Sequence, residues 1–274
     1  PYKCVFCVGR KMVGTKVRYR SAVSIVDELE YLNELKFRQI NIADDLFTAS
    51  KNHCIAVCDE IIKRGLQLKW TSFARVDTVS DAVLTKMKAA GCNAVSFGIE
   101  TANPQILKTI KKGITLKQVE EAVSMCNRAT ILPFASFILG LPGETPETIQ
   151  ETMEFGNRLK KQGLSFGFHL LAPFPGTEVR KYSERYGIKI LTNDWSQYHA
   201  NRAIVETSAV SHQTLDKIAI EWEREYDDYI KDSKGGGLRA CYPIWGKWKV
   251  YGNYSYTDTD LTDQMLDRHK EIYG

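Results

Sequence analysis

Ala94-Val95-Ser96-Phe97-Gly98-Ile99-Glu100 is followed by Asn103-Pro104, by Thr115 three residues ahead of Gln118, and by Leu132-Pro133-Phe134-Ala135-Ser136-Phe137-Ile138-Leu139. The two apolar runs are short and rich in β-branched and aromatic residues, which suits buried strands. Asn103-Pro104 starts a helix with proline at the first helical position. Thr115 and Gln118 spell a capping box ahead of Val119, Ala122 and Val123. The same alternation continues outward. Upstream lie the strand-like runs Ile40-Asn41-Ile42 and Lys69 to Arg75; downstream lies Ser165 to Leu171. Between them the apolar period lengthens to that of a helix. Ile25, Val26, Leu29 and Leu32 follow a Ser21 cap; Ile55, Cys58, Ile61 and Ile62 precede a Gly65 stop; Val83, Leu84 and Met87 lie between Ser80 and Gly91. Thr145-Pro146 opens one more helix, carrying Ile149 and Met153.

Strand followed by helix, repeated, predicts an α/β fold with a parallel sheet and right-handed crossovers. Five strands are legible, and the chain opens on a loop of the kind that follows a strand, so a sixth is expected just before Pro1. Five or six such units suit a partial barrel; a doubly wound open sheet competes. Both gather their chemistry at the carboxyl ends of the strands.

The 274 residues are 43% hydrophobic and 26% charged, the composition of an ordinary globular chain. Seven cysteines are too few for a disulfide scaffold. No apolar run is long enough for a membrane span. A net charge of +4, from 37 basic and 33 acidic residues, does not by itself point to nucleic acid. From about Lys181 the character changes: ten of the thirteen tyrosines lie beyond it. Ser211 to Asp232 reads as one helix with Leu215, Ile218, Trp222 and Tyr226 inward. Gly235-Gly236-Gly237 breaks it, and an aromatic tail with Tyr242, Trp245, Trp248 and Tyr251 follows. The division expected is a core over 1–180 and an aromatic-rich capping extension over 181–274. A stacking platform for nucleic acid is disfavoured, because no basic stripe accompanies the aromatics.

Cys4-Val5-Phe6-Cys7 is the sharpest chemical feature. The spacing lets two thiolates reach one metal, and zinc sites, iron–sulfur sites and redox dithiols all use it. The next pair, Cys54 and Cys58, falls mid-helix on an apolar stripe and reads as core packing. His169 sits on an apolar strand and reads as a core histidine, with a substrate or cofactor contact as the alternative. Lys111-Lys112 and Lys160-Lys161 read as solvated charge runs.

Pro1-Tyr2-Lys3-Cys4-Val5-Phe6-Cys7 resembles the radical S-adenosylmethionine (SAM) signature Cys-x-x-x-Cys-x-aromatic-Cys, with its first cysteine falling immediately before Pro1. The resemblance implies a partial (β/α)6 barrel. It also implies a [4Fe–4S] cluster held by Cys4, Cys7 and that earlier cysteine, with SAM chelating the open iron. Asp44-Asp45-Leu46-Phe47 stands where the family binds the cofactor's ammonium group, although the family form is often Gly-Gly-Glu. Gly98-Ile99-Glu100-Thr101 resembles the family's Gly-Ile-Glu-Ser element. Arg75 is implied to pair with the cofactor carboxylate. Ile138-Leu139-Gly140-Leu141-Pro142-Gly143-Glu144-Thr145 resembles the segment that packs on adenine, and Pro173-Phe174-Pro175-Gly176-Thr177 matches the element after the last strand. The implied cofactor-binding set is Phe6, Asp44, Asp45, Arg75, Ser96, Glu100, Ile138, Leu139, Gly140, Leu171 and Ala172. Turn and capping chemistry explains each element singly; their shared place at successive strand ends favours the functional reading.

The spelling of these elements resembles the branch carrying a cobalamin-binding domain, which includes methyltransferases and an anaerobic oxidative cyclase. Such a domain would precede Pro1. The resemblance implies reductive cleavage of SAM to a 5′-deoxyadenosyl radical, with methyl transfer or related C–H functionalisation. It further implies a small-molecule or peptide substrate, an electron donor such as flavodoxin or ferredoxin, and a cytoplasmic location. Methylthiotransferase chemistry is the second reading. A non-catalytic α/β module with a zinc-binding Cys-x-x-Cys is the third.

Overall fold

A computed structural model describes residues 2–37 and 39–232, with side chains as far as Trp222. Five strands, β1 (Gln39–Ile42), β2 (Lys69–Ala74), β3 (Cys92–Glu100), β4 (Leu132–Leu139) and β5 (Ser165–Leu170), form one sheet in the order β1-β2-β3-β4-β5. Every neighbouring pair is parallel. This order separates the two expected architectures. A doubly wound sheet reverses its strand order at a switch point; here each strand adds beside the last in one direction, as in a barrel wall. The described strands do not close into a barrel.

The helices joining them are α2 (Ala22–Glu34), α3 (Lys51–Lys63), α4 (Asp81–Ala89), α5 (Pro104–Thr109), α6 (Leu116–Arg128) and α7 (Pro146–Lys160); a single turn and a half, α1 (Gly9–Val13), precedes them. Their starts are set by the residues that the sequence marks. Ser21, Ser80, Asn103, Thr115 and Thr145 each accept a backbone N–H of the following turn. Thr115 and Gln118 close the expected capping box.

The main core lies between one face of the sheet and these helices. Trp70, Val95, Phe97, Ile99 and Phe137 are fully buried there, together with Cys54 and Cys58, which therefore serve as packing. Strand side chains alternate, so the other face carries Asn41, Thr71, Ser96, Ser136, Gly167 and His169, together with Phe73, Phe134 and Ile138. Thr71 donates to Asn41 at 3.1 Å across that face. This second face is the more polar of the two.

After β5 the chain runs through α8 (Glu178–Lys181) into an antiparallel pair, β6 (Ile188–Ile190) with β7 (Val205–Thr207), and then α9 (His212–Asp232). The α9 helix matches the expected Ser211–Asp232 helix. Trp222 on it stacks against Phe166 of β5, with ring centroids 4.3 Å apart. Residues 1–228 cluster as one compact unit and 229–274 as another, so the segment from residue 181 begins inside the unit that holds the sheet. The side chain of Tyr226 and the aromatic tail beyond Gly235 lie outside the described residues. Among the described residues no helix is long and apolar enough to cross a membrane.

Candidate active site

The cysteine loop is fastened to the carboxyl ends of the strands. Cys7 N–H donates to Cys4 O at 3.2 Å, closing the turn. Val5 between them is 1% exposed. Its N–H donates to Ile110 O, just past α5, and its carbonyl accepts from Val179 of α8, both at 3.0 Å. Its side chain packs with Ile106, Ile110, Leu141, Leu171 and Val179. One buried valine thus ties the loop to the segments that follow β3, β4 and β5. Both thiols are free; Cys4 is half-buried and Cys7 exposed. Phe6 is half-buried at the edge of the same cluster, and Leu171 and Ala172 lie within it.

Charged groups converge on Cys4. Glu100 ends β3 with a φ of +75°, a conformation costly for a residue with a β-carbon. Its carboxylate is 7% exposed and is held by Lys112 Nζ at 2.5 Å. Lys112 is itself 8% exposed, which corrects its reading as part of a solvated run; only Lys111 is at the surface, paired with Glu178. Gly98 makes room for this pair: a β-carbon there would lie 2.5 Å from Glu100 Oε1 and 3.0 Å from Lys112 Nζ. Arg75 is also buried. It grips Asp77 with two bonds of 2.8 Å, donates to Lys112 O at 3.0 Å and lies 3.8 Å over the Tyr2 ring. These groups set the Cys4 thiol. Burial pushes it up from its ordinary value, Lys112 pulls it down, Glu100 pushes it up, and Arg75 pulls it down.

The two aspartates separate. Asp44 accepts from Leu46 N–H at 2.8 Å, a local turn. Asp45 instead faces the cysteine loop: its Oδ2 and Cys7 Sγ lie 3.7 and 3.5 Å from the point where a β-carbon on Gly9 would sit. Ser96 and Ile138 are half-buried on the polar face of the sheet, with Ile138 beside His169 in register. Burial pushes the His169 imidazole below its ordinary value, and the Glu100 carboxylate opposes that shift. Leu139 turns its side chain to the helix side, beside Ile149, Leu170 and Leu215. Its side chain therefore turns away from the face that carries Ser96 and Ile138. Gly140 is held by Glu144, whose buried carboxylate accepts the Gly140 N–H.

Sequence reasoning missed three members of this arrangement: Lys112, Asp77 and the buried Glu144. Lys112 read as part of a solvated charge run and Glu144 as a member of a turn ahead of a helix cap, and tertiary contacts bury both. Asp77, two residues past Arg75, had a legible signal in that short-range pair.

As for a metal, the donor set fits an iron–sulfur group: two reduced thiols on a pinned loop, in a pocket bearing both signs of charge. Among the described residues no three His, Cys, Asp or Glu side chains gather to hold an ion. Cys4 and Cys7 stand as two thiols on one loop, and among the described residues no four donors of a structural zinc site converge there.

The family model of the radical SAM superfamily matches residues 1–156, and the chain belongs to that superfamily. The family uses a [4Fe–4S] cluster and SAM. The chain is 33% identical over 220 residues to an uncharacterized methyltransferase of Pyrococcus horikoshii, covering 80% of this chain and 47% of that protein. It is 27% identical over 230 residues to the anaerobic magnesium-protoporphyrin IX monomethyl ester cyclase of Rubrivivax gelatinosus, covering 82% and 40%. Among solved structures it resembles the radical SAM methyltransferase TsrM of Kitasatospora setae, determined with cobalamin and a [4Fe–4S] cluster bound. The TM-score there is 0.62 at 26% identity, over 70% of this chain and 38% of that one. The chain spans less than half the length of these relatives.

Proposed function

We propose that this chain is the catalytic core of a cobalamin-dependent radical SAM methyltransferase. The observation that carries the reading is the meeting, at one end of one sheet, of the pinned Cys4–Cys7 loop with Glu100, Lys112, Arg75 and Asp45. When bound, the cluster and SAM supply reductive cleavage of the C5′–S bond to a 5′-deoxyadenosyl radical, and cobalamin supplies a methyl group. The chain's own residues bind and orient. Cys4 and Cys7 hold the cluster, and Phe6 packs beside it. An amino acid carries one positive and one negative group, and this site offers both complements. Asp45 and Glu100 face its ammonium; Arg75 and Lys112 face its carboxylate. Ser96 extends this polar wall. Ile138, the Leu139–Gly140 backbone, Leu171 and Ala172 form the apolar side that receives adenine. Val5 and its neighbours exclude water from the loop.

Residues 1–180 carry the cofactors in this reading. The substrate is a small molecule or peptide held over the polar face of the sheet, in the cytoplasm, with cobalamin held by a domain outside these residues. Methyl transfer is favoured over oxidative cyclisation because the 33% identical relative is named a methyltransferase. The test is product analysis on the intact protein with cobalamin, SAM and reductant. A methyltransferase releases both S-adenosylhomocysteine and 5′-deoxyadenosine. A cyclase releases 5′-deoxyadenosine alone, and that result would replace the reading.

A further inference from the structure

Immediately after Cys7 the chain reads Gly9-Arg10-Lys11-Met12-Val13-Gly14-Thr15-Lys16-Val17-Arg18-Tyr19-Arg20. It holds five basic residues and no acidic one, in a chain whose whole net charge is +4. Among the described residues only Arg20 of the five is ion-paired, with Glu28. The apolar side chains between them face solvent: Met12 is 60% exposed, Val13 51% and Val17 46%. A segment that leaves these three apolar side chains and Tyr19 (48% exposed) in solvent, among four cations with no ion pair among the described residues, has the make-up of an interface, which combines apolar and charged side chains. Its place is specific. The α1 turn begins two residues after the exposed Cys7, and Cys7 Sγ lies 3.5 Å from where a β-carbon on Gly9 would sit, so the segment starts beside that sulfur.

We infer that residues 9–20 form the docking surface for an acidic one-electron carrier protein. This rests on the proposed radical SAM chemistry, which consumes one electron per cleavage: the carrier is oxidised by one electron and the cluster reduced by one. Two features favour such a partner. The unpaired cations complement an acidic surface and steer its approach. The exposed centre is aliphatic and thioether rather than a series of stacking aromatics, which argues against a nucleic-acid strand.

The intact reconstituted protein would be assayed for 5′-deoxyadenosine with reduced flavodoxin and, separately, with dithionite. Arg10→Glu/Lys16→Glu/Arg18→Glu is expected to slow the flavodoxin-driven rate at low salt by about tenfold or more. The wild-type flavodoxin-driven rate is expected to fall with added salt, and the dithionite-driven rate to stay unchanged in the variant. An unaltered flavodoxin-driven rate would overturn the proposal while leaving the radical chemistry standing. An unaltered rate with a change from dimer to monomer would assign the patch to a second copy of the chain instead. Equal loss with both reductants, in this variant and in the milder Arg10→Gln/Lys16→Gln/Arg18→Gln, would also overturn it. No product with dithionite in the wild type would overturn the underlying reading together with the proposal.

Discussion

Glu100 and Lys112 are a buried pair whose worth lies in keeping each other. Removing one partner strands the other charge away from water, at a cost of about 3–5 kcal/mol. Lys112→Met is therefore expected to lower unfolding free energy by about that much in urea titrations. Glu100→Gln/Lys112→Met together should recover a large part of it, since no unpaired charge remains. Neither variant should bind SAM as wild type does. Glu144 gives a pH signature. Burial pushes its carboxyl up to about 8 from an ordinary 4.5, against the Gly140 and Leu141 N–H groups that favour the ionised form. The folded state thus keeps a proton that the unfolded chain releases. That stability is fully present below about pH 4.5 and is lost as pH rises through 8. Melting temperature should fall between pH 5 and 8 more steeply in wild type than in Glu144→Gln, and parallel profiles would refute the assignment. At this scale the sequence was informative where position along a strand decides exposure. Glu100 was legible at its strand end, whereas Lys112 was not, because its burial goes with tertiary contacts to Glu100 and Arg75.

Single elements follow local rules wherever a cap or a period is present. The five parallel strands lie within two residues of their expected limits, and the capped helices start where Ser21, Ser80, Asn103, Thr115 and Thr145 stand. The β6–β7 pair was not legible. Each strand is three residues long, too short for a period of two to declare itself, and the pairing is made across an irregular loop. That pair matters for the β4 turn, because Val205 of β7 closes over it. Gly140 has a φ of +87°, and a β-carbon there would lie 3.1 Å from Val205 Cγ2 and 3.3 Å from Leu215 Cδ1. Gly143 has a φ of +84° and open space around it. Both substitutions to alanine bear the backbone cost of a left-handed conformation, about 1 kcal/mol. Gly140→Ala also forces neighbouring side chains apart, so denaturant titration should place it about 1–3 kcal/mol below Gly143→Ala. Equal stabilities would mean that β7 does not cover the turn.

For the whole molecule, strand order is what joins sequence to chemistry. Because each strand adds beside its predecessor, the strand ends bring residues from 4 to 178 within reach of one another. The alternation in the sequence carried this much. It could not choose between a barrel wall and a doubly wound sheet, since both repeat strand and helix and differ only in where each strand is inserted. The central claim is that Cys4 and Cys7 hold a cluster that cleaves SAM. It is tested most directly by anaerobic reconstitution of the intact protein with iron and sulfide, followed by dithionite and SAM, with 5′-deoxyadenosine measured by chromatography. The account predicts 5′-deoxyadenosine from wild type, and loss of both cluster iron and product in Cys4→Ala and in Cys7→Ala. Wild-type protein that binds iron and sulfide yet forms no 5′-deoxyadenosine, or alanine variants that form it at the wild-type rate, would contradict it.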